Sequence, residues 1–331
     1  MSAFHLLRLP LVAVEHVLCM LNPYELIDVS QTSSRAKRSV KNFSRTRPKF
    51  RVELMINDQP CISILGRDSK IISYDYSWTL DDPIIFLVKN FNTHQITFVD
   101  MKIAKNPIEE FMKTYEYIRE VFGCVIKYVH YELGAFSRRT SKTIIDFLLR
   151  QQESIPEVNI HGDFQNQSHN DVKYHISKLK VSETLEIDLS HYKNNFQLEI
   201  PKGFLNLHVL SAKFIKYEQF QRLKHQEIVL YDSRMTDRDI NRFLKSWIAC
   251  KSHLNLESLL IVVLRQTLDE EMMNDIPYEE TTDPNILEKF DRYPFHAKVT
   301  GGLKIKRSDG KVATASAFLK PVGWCLCFLV H

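Results

Sequence analysis

The stretch FHLLRLPLVAVEHVLCMLNPYELIDVS, residues 4–30, decides how this chain begins to fold. Leu9-Pro10 is followed by Leu11, Val14, Val17, Leu18 and Leu21, a spacing of three and four that lines up one stripe of an α-helix. Pro10 has φ fixed near the helical value and no N–H to leave unpaired, so it suits the first turn. Asn22-Pro23 ends the helix, because a residue before proline avoids the α region. Pro23 then opens a second short helix, with Glu25 near its positive end and Leu26, Ile27 and Val29 as its apolar residues. Helices this short do not persist alone in water, so they need a covering surface within the chain or outside it.

Residues 29–52 contain no acid and carry Arg35, Lys37, Arg38, Lys41, Arg45, Arg47, Lys49 and Arg51. Val40 and Phe43 give residues 33–43 a modest apolar side, which predicts a third helix. The basic run reads as a solvated helix face, as a surface for an acidic partner or phosphates, or as a nuclear localisation signal. From residue 50 to about 101 the period changes to two: Phe50, Val52, Leu54 and Ile56 alternate with polar residues. Further short apolar runs follow at 62–65, 71–74, 83–88 and 95–99, separated by turn residues such as Asn57-Asp58 and Gly66-Arg67-Asp68. A small antiparallel sheet is the expected result. Pro107 begins a helix to about residue 120, with Phe111, Met112, Tyr115 and Ile118 at helical spacing.

Beyond Gly123 short apolar strands recur at 125–129, 158–160, 185–189, 207–210, 228–230 and 256–263. Helical segments lie between them, at 141–151 and 170–180 for example. Strand plus helix at a period of roughly 20–35 residues is the mark of a leucine-rich-repeat-like α/β solenoid, with a compact α/β domain as the competing reading. Near residue 240, Thr236 is a good N-cap and Asp237 and Asp239 occupy the first turn. Ile240, Phe243, Leu244, Trp247 and Ile248 then form one stripe.

Composition narrows the function classes. The 331 residues are 44% hydrophobic with net charge +4, enough for real cores and no polyanion binder as a whole. Only 9 glycines occur, and no phosphate-loop or dinucleotide fingerprint. The 6 cysteines are scattered, without C-x-x-C, and are expected to be reduced small apolar residues. The N-terminus does not read as a secretory signal, and the late apolar stretch 321–330 is too short to cross a bilayer. No metalloprotease, hydrolase or kinase signature is present. His161, His169, His175 and His191 lie near one another in sequence among Asn, Gln, Ser and Lys, so loop histidines are expected rather than a metal site. Glu186 and Asp188 alternate with Leu185, Ile187 and Leu189 and so share one face of a strand.

Two sets of these residues resemble known families. Leu9-Pro10 with its apolar stripe, then Pro23-x-Glu25-Leu26-Ile27, then a Ser-rich step into a basic helix, resembles an F-box. The resemblance implies a helical face docked on a Skp-type adaptor, and through it a cullin, with Leu6, Leu9, Pro10, Val14, Leu18, Leu26 and Ile27 as adaptor-binding residues. The block from Tyr231 to Ile248, leading into Leu254-Asn255-Leu256-Glu257-Ser258-Leu259, is similar to the type 2 F-box-associated domain of nematode F-box proteins. Met235 stands where that family has leucine, a volume-conserving change. Arg307-Ser308-Asp309-Gly310-Lys311-Val312-Ala313-Thr314 resembles its terminal hairpin. The family would continue as a polar-apolar strand, whereas the segment from Phe318 onward departs from it and is read as a tail without expected order.

The resulting expectation is an α+β or α/β chain: an F-box at 4–46, a β-rich connecting region with a helix at 47–120, a leucine-rich-repeat-like domain at 121–315 with its clearest match at 185–265, and a divergent tail at 316–331. The function implied is that of a non-catalytic substrate-recognition subunit of an SCF-type cullin-RING ubiquitin ligase, cytoplasmic or nuclear, with no cofactor, no metal and no membrane. The target protein is unnamed, and Glu186 and Asp188 are candidates for its contact. The alternative is a nucleic-acid-binding protein using residues 35–51.

Overall fold

The computed structural model describes residues 9–46, 50–66, 72–80, 96–163, 169–193, 195–263, 270–292, 294–321 and 323–331. The chain divides into two compact units, 1–156 and 157–331. The first unit therefore takes in residues 121–156, which the sequence reading assigned to the second domain.

The first unit opens with α1 (Leu11–Met20), α2 (Pro23–Gln31) and α3 (Ser34–Thr46). Asn22 caps α2 reciprocally: its Oδ1 accepts from the Glu25 N–H at 3.0 Å, and Glu25 Oε2 accepts from the Asn22 N–H at 2.8 Å. Ala36, Val40 and Phe43 are the buried apolar residues of α3, at helical spacing. Next come β1 (Phe50–Ile56), β2 (Cys61–Gly66), β3 (Ile72–Thr79), β4 (Ile96–Ile103), α4 (Pro107–Phe122), β5 (Ile126–Leu133) and α5 (Arg138–Gln151). The expected strand at 83–88 lies outside the described residues.

The sheet runs β5-β1-β2-β3-β4. Only β1–β2 and β2–β3 are antiparallel; β1 pairs β5 and β3 pairs β4 in parallel. The expected small antiparallel sheet is thus a mixed one, because a helical connection (α4) returns the chain to lie parallel beside β1. Trp78 meets Phe111 edge-on at 6.0 Å, and Tyr115 meets Phe147 at 5.8 Å, tying α4 to β3 and to α5. Gly123 closes α4 with φ +64°, a left-handed cap that suits glycine.

The second unit holds β6 (Ile155–Asp163), which straddles the division, α6 (His169–Lys178), β7 (Val181–Ser190), β8 (Asn206–Val209), α7 (Tyr217–Phe220) and β9 (Glu227–Leu230). These are followed by α8 (Asp237–Ile248), β10 (Ser258–Val263), α9 (Glu270–Met273), β11 (Glu279–Thr281), α10 (Pro284–Leu287), β12 (Gly302–Lys306), β13 (Val312–Lys320) and β14 (Gly323–Val330). Strand order is β6-β7-β8-β9-β10-β14-β13-β12-β11. Successive strands β7 to β10 pair in parallel, and β10-β14-β13-β12-β11 pair antiparallel.

The segment 316–331, read from sequence as a tail without order, is part of this core. It completes β13 and supplies β14, which pairs with both β10 and β13. Phe328 is fully buried and packs against Phe243 (5.5 Å) and Trp247 (4.9 Å) of α8. On the other sheet face Cys325 and Cys327 join Val229, Leu260, Ile286, Phe290, Phe295 and Ala297 in one apolar cluster. A strand apolar on both faces reads as a continuous greasy run because helix and loop cover both sides.

The 231–248 block folds as its pattern predicts. Thr236 and Asp239 form a reciprocal capping box, and Ile240, Phe243, Leu244 and Trp247 are buried. Buried Asn241 donates to the Met272 and Asn274 carbonyls, at 2.9 and 2.8 Å. In the hairpin before β13, Arg307 is buried with its guanidinium over the Trp247 ring at 5.1 Å and held bidentately by Asp309 at 2.9 and 2.8 Å. Gly310, at φ +94°, makes the turn.

Candidate functional site

Two surfaces carry the candidate residues. The first is α1. Of the seven side chains predicted to meet an adaptor, Val14, Leu18, Leu26 and Ile27 are buried inside the first unit, Leu9 is half-buried, Pro10 is exposed, and Leu6 lies outside the described residues. The buried four form the packed side of α1 and α2. The apolar side chains that face outward are others: Leu11 (73% exposed), Val12 (66%) and Met20 (84%), beside exposed Cys19. Of the stripe expected for this helix only Val14 and Leu18 are buried; Leu11, counted in that stripe, faces outward with Val12 and Met20, which leaves an apolar face uncovered within the described residues.

Several further side chains of α2 and α3 are engaged within the first unit. The Tyr24 ring lies edge-on to Tyr74 and Tyr76, at 5.3 and 4.9 Å, and its hydroxyl sits 2.6 Å from the Asp75 carbonyl and 2.8 Å from that of Phe98. Burial, with the Asp75 charge nearby, pushes the Tyr24 phenol well above its ordinary pKa. Ser30 bonds Tyr117 at 2.9 Å. In the basic run, Lys37 and Lys41 both reach Glu120, at 2.8 and 3.6 Å, and Lys37 also lies over the Tyr117 ring. Arg35, Arg38 and Arg45 are exposed, while Arg47 and Lys49 lie outside the described residues. Part of that run is thus spent on packing α3 against α4.

The second surface is one face of the parallel strands in the second unit. Register aligns Glu186 of β7 with His208 of β8, Val229 of β9 and Leu260 of β10. Along this row the character changes. Val229 and Leu260 lie under the chain's own Ile286, Phe290 and Phe295, whereas His208 and Glu186 belong to a polar patch. His208 is 5% exposed; its Nε2 is 2.7 Å from Glu227 and its Nδ1 4.0 Å from Glu186. Burial works against a charged imidazole here, but the hydrogen bonds and charges of Glu186 and Glu227 outweigh it and hold the pKa above the ordinary histidine value. Ser258 Oγ donates to Glu227 at 3.2 Å.

The pattern continues outward. Asn159 Nδ2 donates to Glu186, His161 Nδ1 lies 3.0 Å from Asp188, and His191 Nδ1 lies 3.0 Å from Asp163. Glu186 and Asp188 are therefore brought to one patch, as their alternation implied. The sequence reading missed their histidine and asparagine partners, because those sit 27 residues away on the neighbouring strand and only the register joins them. Of the four histidines close in sequence, His161 and His191 each face a carboxylate and His175 is buried. Among the described residues no group of three or more His, Cys, Asp or Glu is placed to hold a metal ion, and no helix is long and apolar enough to cross a membrane.

Comparison with known families now bears on these surfaces. Residues 6–48 match the F-box domain, the stretch that contains α1, α2 and α3. The chain therefore carries an F-box. Residues 195–261 match the F-box associated family and span β8, β9, α8 and most of β10, so the chain combines an F-box with an F-box-associated region. F-box domains bind Skp1-type adaptors, and both families are typically non-catalytic adaptor modules. No curated protein and no solved structure matches the chain.

Proposed function

We propose that this chain is a non-catalytic substrate receptor of an SCF-type cullin-RING ubiquitin ligase, working in the cytoplasm or nucleus. The observation that carries the reading is the outward apolar set Leu11, Val12 and Met20 on an F-box helix whose other side is already packed. In this reading Leu6, Leu9 and Pro10 join that set against the Skp-type adaptor, while Val14, Leu18, Leu26 and Ile27 hold the helices from beneath. The parallel strands of the second unit form a solenoid-like scaffold, and its open polar face, with Glu186 and Asp188, meets the target protein. The chain's contribution is positional: it raises the effective concentration of a target lysine at the conjugating enzyme and does no bond chemistry itself.

Covering a large apolar side chain at an interface contributes on the order of 1.5–3 kcal/mol, or roughly 10- to 100-fold in affinity. Co-purification with the adaptor tests the reading. Leu11→Asp with Met20→Asp is expected to abolish capture while the melting temperature stays within a few degrees of the parent. Undiminished capture by that variant, and by Leu9→Ala with Pro10→Ala, would remove α1 as the dock.

A further inference from the structure

We infer that the open face of β6–β9 takes an extended Lys/Arg-rich segment of the target; this deepens the substrate-receptor reading and rests on it. The argument begins with composition. β6, β7, β8 and β9 carry Glu157, Asp163, Glu183, Glu186, Asp188 and Glu227 and not one Lys or Arg, on a chain whose net charge is +4. The hydrogen-bonded pairs place Asp163, Glu186 and Asp188 on the same face as Asn159 and His161, and alternation along β6 adds Glu157. The opposite face of these strands is apolar and sealed: Leu185, Ile187, Leu207, Val209, Ile228 and Leu230 are all buried.

The carboxylates are not a loose surface cluster. They belong to a sheet face that the chain itself covers farther along. The row Glu186–His208–Val229–Leu260 passes from polar to apolar where Phe290 and Phe295 begin to cover it. Where that cover stops, the side chains change to acids already oriented by neighbours. Glu186 is held by Asn159, Asp188 by His161, and Glu227 by His208 and Ser258. Such acids are partly desolvated and pre-ordered, which lowers the cost of meeting a cation. Glu186 and Asp188, two residues apart on β7, lie about 6.7 Å apart along the strand, the same interval at which an extended peptide presents side chains on one side. Charge complementarity then selects a basic partner and repels an acidic one.

The full-length protein is titrated with a fluorescent peptide alternating Arg, Lys and Gly, and with its Glu/Asp counterpart. Binding of the basic peptide, weakening as salt rises, is expected, with no binding of the acidic one. Glu186→Gln with Asp188→Asn keeps the shapes and removes the charge, and should weaken binding by about tenfold. Glu157→Gln with Asp163→Asn, on exposed strand positions, serves as a second pair and should weaken it as well. The proposal is overturned if the basic peptide does not bind, if both pairs bind it as the parent does, or if the acidic peptide binds instead. It is equally overturned if the parent self-associates through this face, seen as a concentration-dependent mass that either pair abolishes. Adaptor capture is measured on the same samples: its loss in the α1 variant condemns neither reading of the sheet face, and its retention in the charge variants shows the two surfaces to be separate.

Discussion

Acid should loosen the second unit through two buried histidines. His225 and His253 are each 4% exposed, and burial lowers both imidazoles from 6.5 to about 4. His225 stacks on Phe204 at 4.4 Å, and His253 lies between Phe220 (4.7 Å) and Phe243 (5.1 Å). The folded pKa is below the unfolded one, so the neutral ring's contribution is complete above pH 6.5 and is lost as pH falls towards 4. Between pH 7 and pH 5 the unfolded chain takes up a proton at each site and the folded chain does not. Linkage puts the loss at about 2 kcal/mol per histidine, or roughly 4 kcal/mol together since both rings stay neutral in the folded chain over this range. That is a large part of the ~5–15 kcal/mol a domain has in total. His208 acts with the opposite sign: its pKa is raised, so its contribution is present below 6.5 and is lost as pH rises through the folded value. Urea unfolding followed by circular dichroism at intervals from pH 7.5 to 5 gives the slope of stability against pH. His253→Gln and His225→Gln should each flatten that slope, whatever constant cost the substitution carries, and His208→Gln should steepen it. Identical slopes for parent and His253→Gln would refute the assignment of a neutral, buried imidazole.

Leu18→Ala should destabilise the first unit by about 2–5 kcal/mol, as a cavity under α1, and is read by thermal melting. Thr236→Ala, which removes the α8 capping box, should cost about 1 kcal/mol in urea unfolding. Arg307→Lys keeps the charge but loses both the fork on Asp309 and the plane over Trp247; it should lower stability by about 1–3 kcal/mol in urea unfolding while native tryptophan emission stays unshifted, a red shift of the native state marking an opened α8. Truncation after residue 321 deletes β14 and should leave the second unit aggregating or unfolded in size-exclusion chromatography.

How far the sequence could be read follows from which forces are local. The helices at 107–122 and 237–248 were legible because stripe, cap and first-turn acids all act within a few residues. Strand positions were legible for the same reason, but their partners were not. A period of two is identical whether a neighbour runs parallel or antiparallel, so the pairing of β1 with β5 left no trace in the pattern. The run Cys325-Leu326-Cys327-Phe328 looked like a stray end because its cover, α8 on one side and residues 286–297 on the other, comes from distant segments. The same limit applies at the sites. Periodicity in α1 put Leu11 in one stripe with Val14 and Leu18, and only the fold separates the buried Val14 and Leu18 from the outward Leu11, Val12 and Met20. Asp188 was visible as a surface acid; His161 beside it was not, since strand register alone joins them.

The way α2 and α3 are fastened bears on the proposed positional mechanism. A receptor that only tethers its adaptor gains effective concentration in proportion to how little the tether wanders. In the first unit the F-box helices do not hang from a linker. Tyr24 inserts among Tyr74, Tyr76 and the backbone of β3 and β4, Ser30 bonds Tyr117, and Lys37 and Lys41 converge on Glu120. The exposed ion pairs contribute little by themselves. The partly buried tyrosine contributes more, since its hydroxyl answers strand carbonyls and its ring packs edge-on against two others. Tyr24→Phe keeps the ring and removes that hydroxyl, leaving two carbonyls to find other donors. Its expected signature is faster amide exchange across β3 and β4 with adaptor capture unchanged. Loss of capture without any change in exchange would mean that Tyr24 serves the adaptor and not the mount.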